Sequence, residues 1–173
     1  YLSPTGAFTL AAMRHFAHSE CSAVVLEAGI GGRSDEISLF APLVLAVSEV
    51  FLEHSNLLGS TVLAIAQDKV RCAKAGTARI VSLSQVPEAE REFEAYAATI
   101  GSELTILRNE PTVLMGLSSL ASRNVRLGVE AARQFLGLIQ STPVRLDAHA
   151  IAASIRLPGR LSVHRTDFGR TYV

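Results

Sequence analysis

The sequence has little cysteine, few charged residues and no long hydrophobic run, and each absence excludes a class of protein. Its two cysteines, Cys21 and Cys72, are too few and too unpatterned for a disulfide framework or a zinc site. We interpret both as small apolar packing residues in a reduced, cytoplasmic protein. No apolar run approaches the roughly 20 residues that a membrane-spanning helix needs, and we expect no signal peptide.

The charges balance, with 16 basic and 16 acidic residues, so nothing indicates a general attraction to nucleic acid or to an anionic membrane. Only 18% of the residues are charged and 49% are apolar, with an excess of Ala, Leu and Val. That excess is typical of strands that helices bury on both faces. A chain of 173 residues fits one domain with a sizeable core, so we expect a single domain over 1–173. We also expect a monomer.

Strand-like and helix-like segments alternate along the chain, which predicts an α/β protein with a mostly parallel sheet flanked by helices. The apolar spacing predicts helices over 9–17, from 57 or 60 to 73, and over 87–100, 122–139 and 147–154. It predicts strands over 23–26, 43–47, 79–83 and 104–107, and a small terminal β-hairpin over 161–173 around 167–169. The stretch 33–42 is expected to be a loop, and 108–118 a loop or a short pair of strands.

The most informative run is 24–35, which reads VVLEAGIGGRSD. An apolar, strand-like stretch ends on Glu27 and then breaks into glycines that carry Arg33. Ligands of parallel sheets bind outside the carboxyl ends of the strands, and glycines let backbone approach a ligand closely. The run is neither a dinucleotide-binding fingerprint nor a P-loop, and the P-loop pattern G-x-x-x-x-G-K-[ST] occurs nowhere in the chain.

Several polar residues have a plain structural interpretation when taken singly. Glu27 could cap a turn, His54 could be a solvated loop residue, and Lys69 could lie on a helix surface. Asn124 could be an ordinary polar residue of a helix. Arg33 and Asp35 could form a loop ion pair worth well under about 1 kcal/mol.

Taken together, these segments resemble the folylpolyglutamate synthase and dihydrofolate synthase branch of the Mur ligase superfamily. The resemblance covers nearly the whole chain in order and spacing. It rests on the run 24–35, on VSEVFLEHSNLLG over 47–59, on IAQDK over 65–69, on Asn124 followed by 131–132, and on LPGRL over 157–161.

The resemblance implies an ATP-dependent ligase that adds glutamate to a folate or pteroate carboxylate through an acyl phosphate. It implies that Glu27, His54 and Lys69 hold Mg²⁺, with Lys69 carbamylated by carbon dioxide and all three acting in catalysis. ATP would be contacted by Asn124 on the base side and by Gly31, Gly32 and Arg33. Carboxylates and carbamates supply the oxygen ligands that Mg²⁺ prefers.

The resemblance also implies a P-loop NTPase-like central domain whose first strand and P-loop lie upstream of Tyr1. The C-terminal ligase domain would begin after Val173, so we expect the 173 residues alone to be inactive. Two residues depart from the family: Glu53 stands where an Asp is usual, and Ser38 where an Asn is usual. These departures leave open a diverged, non-catalytic scaffold or binding protein. A ligase of peptidoglycan precursors is a further alternative within the superfamily.

Overall fold

The structure, a computed structural model, describes residues 3–108, 113–114, 117–140 and 144–155, and the backbone of 164–165 and 171–172. Three parallel strands form its central sheet: β1 (Val44–Val47), β2 (Arg79–Leu83) and β3 (Glu103–Leu107). Their order is β1-β2-β3, so β2 is the central strand. The carboxyl ends of the three strands therefore lie at one edge of the sheet.

The described residues form six helices, one before the strands and five between or after them. They are α1 (Pro4–Ala17), α2 (Ser55–Leu58), α3 (Val62–Val70), α4 (Pro87–Ile100), α5 (Ser119–Ile139) and α6 (Ala148–Ser154). A 3-10 turn covers Glu36–Leu39, and β4 (His164–Arg165) pairs with β5 (Thr171–Tyr172) in antiparallel fashion. No helix among the described residues is long and apolar enough to cross a membrane.

Local sequence signals explain where α4 begins and ends. Pro87 occupies the first turn, where its missing N–H removes no hydrogen bond, and Glu88 and Glu90 complement the positive end of the helix dipole. Gly101 ends the helix in the left-handed conformation, with φ at 70°. The helix therefore has the bounds that the sequence predicts.

The core has two parts, one on each face of the sheet. On one face, Ile80 packs with apolar side chains of α3 and α4, among them Ile65 and Phe93, which are fully buried. On the other face, Val81 and Leu83 pack against Leu127 of α5. Adjacent residues of β2 thus serve opposite faces, because side chains alternate along a strand. The predicted α/β arrangement, a mostly parallel sheet flanked by helices, is confirmed.

Most of the predicted elements are present. The strands predicted over 43–47, 79–83 and 104–107 correspond to β1, β2 and β3. The helices predicted over 9–17, 122–139 and 147–154 correspond to α1, α5 and α6, of which α1 and α5 begin earlier than predicted. The terminal hairpin is present as β4 and β5, while its turn at 167–169 and the LPGRL stretch at 157–161 lie outside the described residues, as does part of the loop at 108–118.

The strand predicted over 23–26 is wrong. This stretch has no regular secondary structure, and the side chain of Val25 is 95% exposed. A strand is stabilised only by a neighbouring strand that takes its N–H and C=O groups, and the described sheet ends at β1. The apolar pattern is therefore strand-like, but the segment forms no ladder.

Two further predictions need correction. The helix expected from 57 or 60 to 73 is divided into α2 and α3, because Gly59 adopts a φ of 114° between them, and α3 ends at Val70. Cys21 is exposed rather than packed, and its Sγ atom accepts a hydrogen bond from the Ser19 hydroxyl. Cys72 is buried, as expected, at 4% exposure.

Candidate functional site

The glycine-rich loop is closed on itself by the carboxylate of Asp35. One of its oxygens accepts hydrogen bonds from the backbone N–H groups of Gly29 and Ile30, at 2.9 and 3.3 Å. The other accepts from the N–H of Ile37 at 3.0 Å. Asp35 is buried, whereas Arg33 is exposed, and the structure shows no ion pair between them. The carboxylate therefore orders the backbone and leaves the guanidinium available to a ligand.

The same loop is held against helix α3 by Asp68. The Gly32 N–H donates to one carboxylate oxygen and the Ser34 hydroxyl to the other, each at 2.7 Å. The Arg33 N–H donates to the Asp68 main-chain oxygen at 2.8 Å. Three consecutive loop residues thus bond to one residue of α3.

The glycines are required for this approach to α3. A Cβ atom on Gly32 would lie 2.7 Å from the Lys69 carbonyl oxygen and 2.8 Å from the Lys69 Cα. Both contacts are too short, and because they involve backbone atoms, no side-chain movement could remove the clash. Gly31 has a φ of 78°, and a Cβ there would collide with the Asp68 carboxylate. The close approach that the sequence suggests for a ligand is made here to the helix. Contacts from Gly31 and Gly32 to ATP stay a prediction.

Lys69 is not a plain surface lysine. Its Nζ atom lies 2.8 Å from the Glu53 carboxylate, and the side chains are 20% and 28% exposed. This pair joins α3 to the loop that follows β1. The sequence distinguishes Glu53 as a departure from the family pattern but does not indicate this contact.

His54 begins helix α2 in a strained backbone conformation. Its φ and ψ of 45° and 39° are left-handed, and it is the one non-glycine residue with positive φ among those described. The His54 carbonyl accepts hydrogen bonds from the N–H groups of Leu57 and Leu58, at 2.8 and 3.0 Å, while its imidazole is exposed. Such strain often accompanies functional positions.

Two residues that sequence reasoning missed hold the loop between β1 and α2. The amide of Gln85 donates to the Ser48 carbonyl at 2.9 Å and accepts from the Val50 N–H at 2.8 Å. Arg123 of α5 pairs with Glu49 at 2.7 Å. A usable signal existed for Gln85, because it lies two residues after the end of β2, at the carboxyl edge of the sheet.

The remaining predicted site residues lie at the surface. Glu27 is exposed in the segment before the glycines, and Asn124 is exposed on α5, next to Arg123. Within the described ranges, no three His, Cys, Asp or Glu side chains form a group that could hold a metal ion. The carboxylate of Glu27 suits a hard cation, whereas Lys69 as an ammonium does not and would fit only as a carbamate. The ligand set of Glu27, His54 and Lys69 stays a prediction.

Cys72, just beyond α3, lies near this site but is a packing residue. Burial raises the pKa of its thiol, and the negative charge of Asp35 raises that pKa further. A thiol with a raised pKa is a poor nucleophile, because the thiolate is the reactive form. Cys72 is therefore not a candidate for covalent chemistry.

Comparison with known proteins supports the predicted resemblance. The folylpolyglutamate synthase of Lacticaseibacillus casei is 37% identical over 89 residues, which cover 51% of this chain and 21% of that protein. The dihydrofolate synthase/folylpolyglutamate synthase of Bacillus subtilis (strain 168) is 31% identical over 99 residues, covering 54% and 23%. No protein-family model matches the chain.

A solved structure described as an FPGS-AMPPCP complex superimposes with a TM-score of 0.83 at 24% identity. The match covers 92% of this chain and 46% of that one. The shared fold is therefore established over nearly all of the chain, and the chain spans less than half the length of each of these proteins. The resemblance to the folylpolyglutamate synthase and dihydrofolate synthase branch of the Mur ligase superfamily is confirmed.

Proposed function

We propose that the polypeptide carrying this chain, a relative of folylpolyglutamate and dihydrofolate synthases, is an ATP-dependent ligase that joins glutamate to a folate or pteroate carboxylate. One observation carries the proposal. The segments of the resemblance that bear Arg33 and Lys69 are far apart in sequence, and Asp68 holds the Arg33 backbone beside Lys69 while the Arg33 guanidinium stays exposed. An exposed guanidinium at this position supports the binding of a phosphorylated substrate.

The proposed reaction has two displacements. An oxygen of the acceptor carboxylate attacks the γ-phosphorus of ATP, and ADP leaves. The amine of glutamate then attacks the acyl carbon, loses a proton and displaces inorganic phosphate. Catalysis of phosphoryl transfer is mainly positioning and neutralisation of charge. The exposed guanidinium of Arg33 can provide the latter, and Asn124 is proposed to lie on the base side of the nucleotide.

We assign Glu27, His54 and Lys69 to the binding of Mg²⁺, Lys69 after carbamylation. In that step the neutral amine adds to carbon dioxide and releases its proton, so that a cation becomes an anionic oxygen ligand. The bound ion would neutralise charge on the phosphoryl oxygens. Gly31 and Gly32 let the Arg33 backbone lie against α3, and we propose that they contact ATP from that position.

We further propose a cytoplasmic monomer that acts on small molecules. The balanced charge of the chain favours neither nucleic acid nor a membrane surface as a partner.

The test is Glu27→Gln in the complete natural polypeptide that contains these residues, with Glu94→Gln on the exposed face of α4 as the matched control. The first change keeps the side-chain size but removes the charge that would bind the cation. We expect glutamate-dependent ATP turnover to fall more than about ten-fold, ~1.4 kcal/mol, only in Glu27→Gln. We also expect Mg²⁺ to raise the melting temperature of the control but not of Glu27→Gln. Equal turnover in both variants would remove Glu27 from the site.

A non-catalytic relative is the second candidate, and the Lys69–Glu53 pair favours it. The Lys69 Nζ atom lies 2.8 Å from the Glu53 carboxylate, so this contact would have to be given up before a carbamate could form on that nitrogen. Such a protein would show no ATP turnover with any acceptor and glutamate, although it would keep the fold.

A further inference from the structure

Every oxygen atom of Asp68 accepts a hydrogen bond from the glycine-rich loop. Both of its carboxylate oxygens accept hydrogen bonds, from the Gly32 N–H and from the Ser34 hydroxyl, and its main-chain oxygen accepts from the Arg33 N–H. All three distances lie between 2.7 and 2.8 Å, in the range of strong hydrogen bonds. The side chain thus spans 34 to 36 residues of sequence to reach the loop.

The loop has little freedom to leave this position. Gly32 lies so close to the Lys69 backbone that no Cβ atom fits between them. On its other side the loop is closed by Asp35, whose carboxylate accepts from Gly29 and Ile30. Asp68 therefore fixes a segment that is already folded into a compact turn.

Asp68 also stands next to Lys69, whose ammonium pairs with Glu53. Two adjacent residues of α3 thus contact two different segments, Asp68 the backbone of Arg33 and Lys69 the side chain of Glu53. We infer that Asp68 is a positioning residue, which sets Arg33 against Lys69 through hydrogen bonds rather than through its charge. The inference rests on the proposed function, because positioning has meaning only where a phosphorylated substrate lies between these groups.

Two substitutions of Asp68 distinguish the effect of its hydrogen bonds from the effect of its charge. In Asp68→Asn the amide oxygen can accept from the Gly32 N–H. The amide nitrogen can donate to the Ser34 hydroxyl, which accepts as readily as it donates. Both contacts survive although the charge is lost. In Asp68→Ala both side-chain contacts are lost. If Asp68 acted instead as a metal ligand or as a base, both variants would lose activity to the same extent.

The experiment compares Asp68→Ala, Asp68→Asn and Ser34→Ala in the complete natural polypeptide. The matched control is Asp147→Ala, because Asp147 also accepts from two backbone N–H groups, those of His149 and Ala150 at 2.9 and 3.2 Å, at the start of α6. We expect kcat to fall at least about ten-fold in Asp68→Ala, with KM for glutamate changed less than about three-fold. We expect Asp68→Asn and Asp147→Ala to stay within about three-fold of the wild type.

Amide hydrogen exchange at Gly32 and Arg33 provides the second measurement. It should accelerate at least ten-fold in Asp68→Ala, less in Ser34→Ala, and remain near the wild-type rate in Asp68→Asn. Loss of turnover in Asp68→Asn equal to that in Asp68→Ala would overturn the inference, as would unchanged exchange in a folded Asp68→Ala. An inactive wild type would instead refute the proposed function, while the exchange rates still decide whether Asp68 holds the loop.

Discussion

The Nζ atom of Lys69 lies 2.8 Å from a carboxylate oxygen of Glu53. Glu53 has one methylene more than the Asp that the family pattern carries, and this longer side chain is the one that contacts the lysine. The pair joins the helix that carries Asp68 to the loop that carries His54.

Breaking this pair should weaken the fold slightly. In Glu53→Gln the charge is lost while the size is kept, and we expect the free energy of unfolding to fall by about 0.5–1 kcal/mol, because both groups are only partly exposed. Urea denaturation measures this directly. Glu103→Gln, which breaks a more exposed pair with Arg79, is the control and should have the smaller effect. An equal effect of the two changes would contradict the assigned role of burial.

Replacing Lys69 tests the carbamate assignment. In Lys69→Ala we expect loss of ligase turnover that formate or acetate partly restores, because the added anion can supply the missing oxygen ligand. A lysine that acts as a cation on phosphate would instead be rescued by small amines, and a surface lysine would cause no loss. Turnover of the complete polypeptide with each additive distinguishes the three, and rescue by amines alone would exclude the carbamate.

The glycine at 32 should be irreplaceable on steric grounds. In Gly32→Ala the new Cβ would meet the Lys69 backbone, and we expect a loss of about 1–3 kcal/mol of stability, typical of overpacking. Gly128 on α5 is the matched control, because a Cβ there would meet nothing within 4 Å. Gly128→Ala should stabilise the protein by about 0.5–1 kcal/mol, since glycine is unfavourable within a helix. Thermal or urea unfolding of both variants gives the signs, and stabilisation in both would refute the close contact.

Glu90 should make the stability depend on acid pH. The Arg108 guanidinium donates to its carboxylate and holds the pKa of Glu90 below 4.5, the ordinary value for glutamate, and the Gln85 N–H and Ser84 hydroxyl act in the same direction. A lowered pKa means that the stabilisation is complete above pH 4.5 and is lost as the pH falls through the folded-state value.

The variants Glu90→Gln and Arg108→Gln should therefore be less stable than the wild type at pH 7, with the difference shrinking as the pH falls below about 4.5. Denaturant unfolding at a series of pH values between about 3 and 7 measures this difference. A difference that stays constant over this range would show that the ion pair is not responsible.

Elements with strong local signals could be predicted from the sequence. Helix α4 has Pro87 at its start and a left-handed Gly101 at its end, and β2 is an apolar run between turns. The stretch 23–26 has an equally good apolar run and forms no strand, because a strand also requires a neighbour. Local pattern thus determines a helix more completely than it determines a strand.

The candidate site could be predicted as a set of segments but not as a set of contacts. The runs around Arg33, His54 and Lys69 were recognisable from residue type and order. The roles of Asp68, Gln85 and Arg123 depend on distances across 34 or more residues, for which the sequence gives no measure. The left-handed backbone of His54 likewise follows from the packing of its loop and not from its residue type.

Because one cysteine is exposed and the other is buried, the rate of cysteine labelling can measure local unfolding of the chain. A thiol reagent should label Cys21 at once, because that side chain is exposed. Cys72 is buried, and burial raises the pKa of its thiol. Modification of Cys72 therefore requires an opening of the structure around α3. The time course of labelling should have two phases. The rate of the slow phase would measure how often the region held by Asp68 and Lys69 opens.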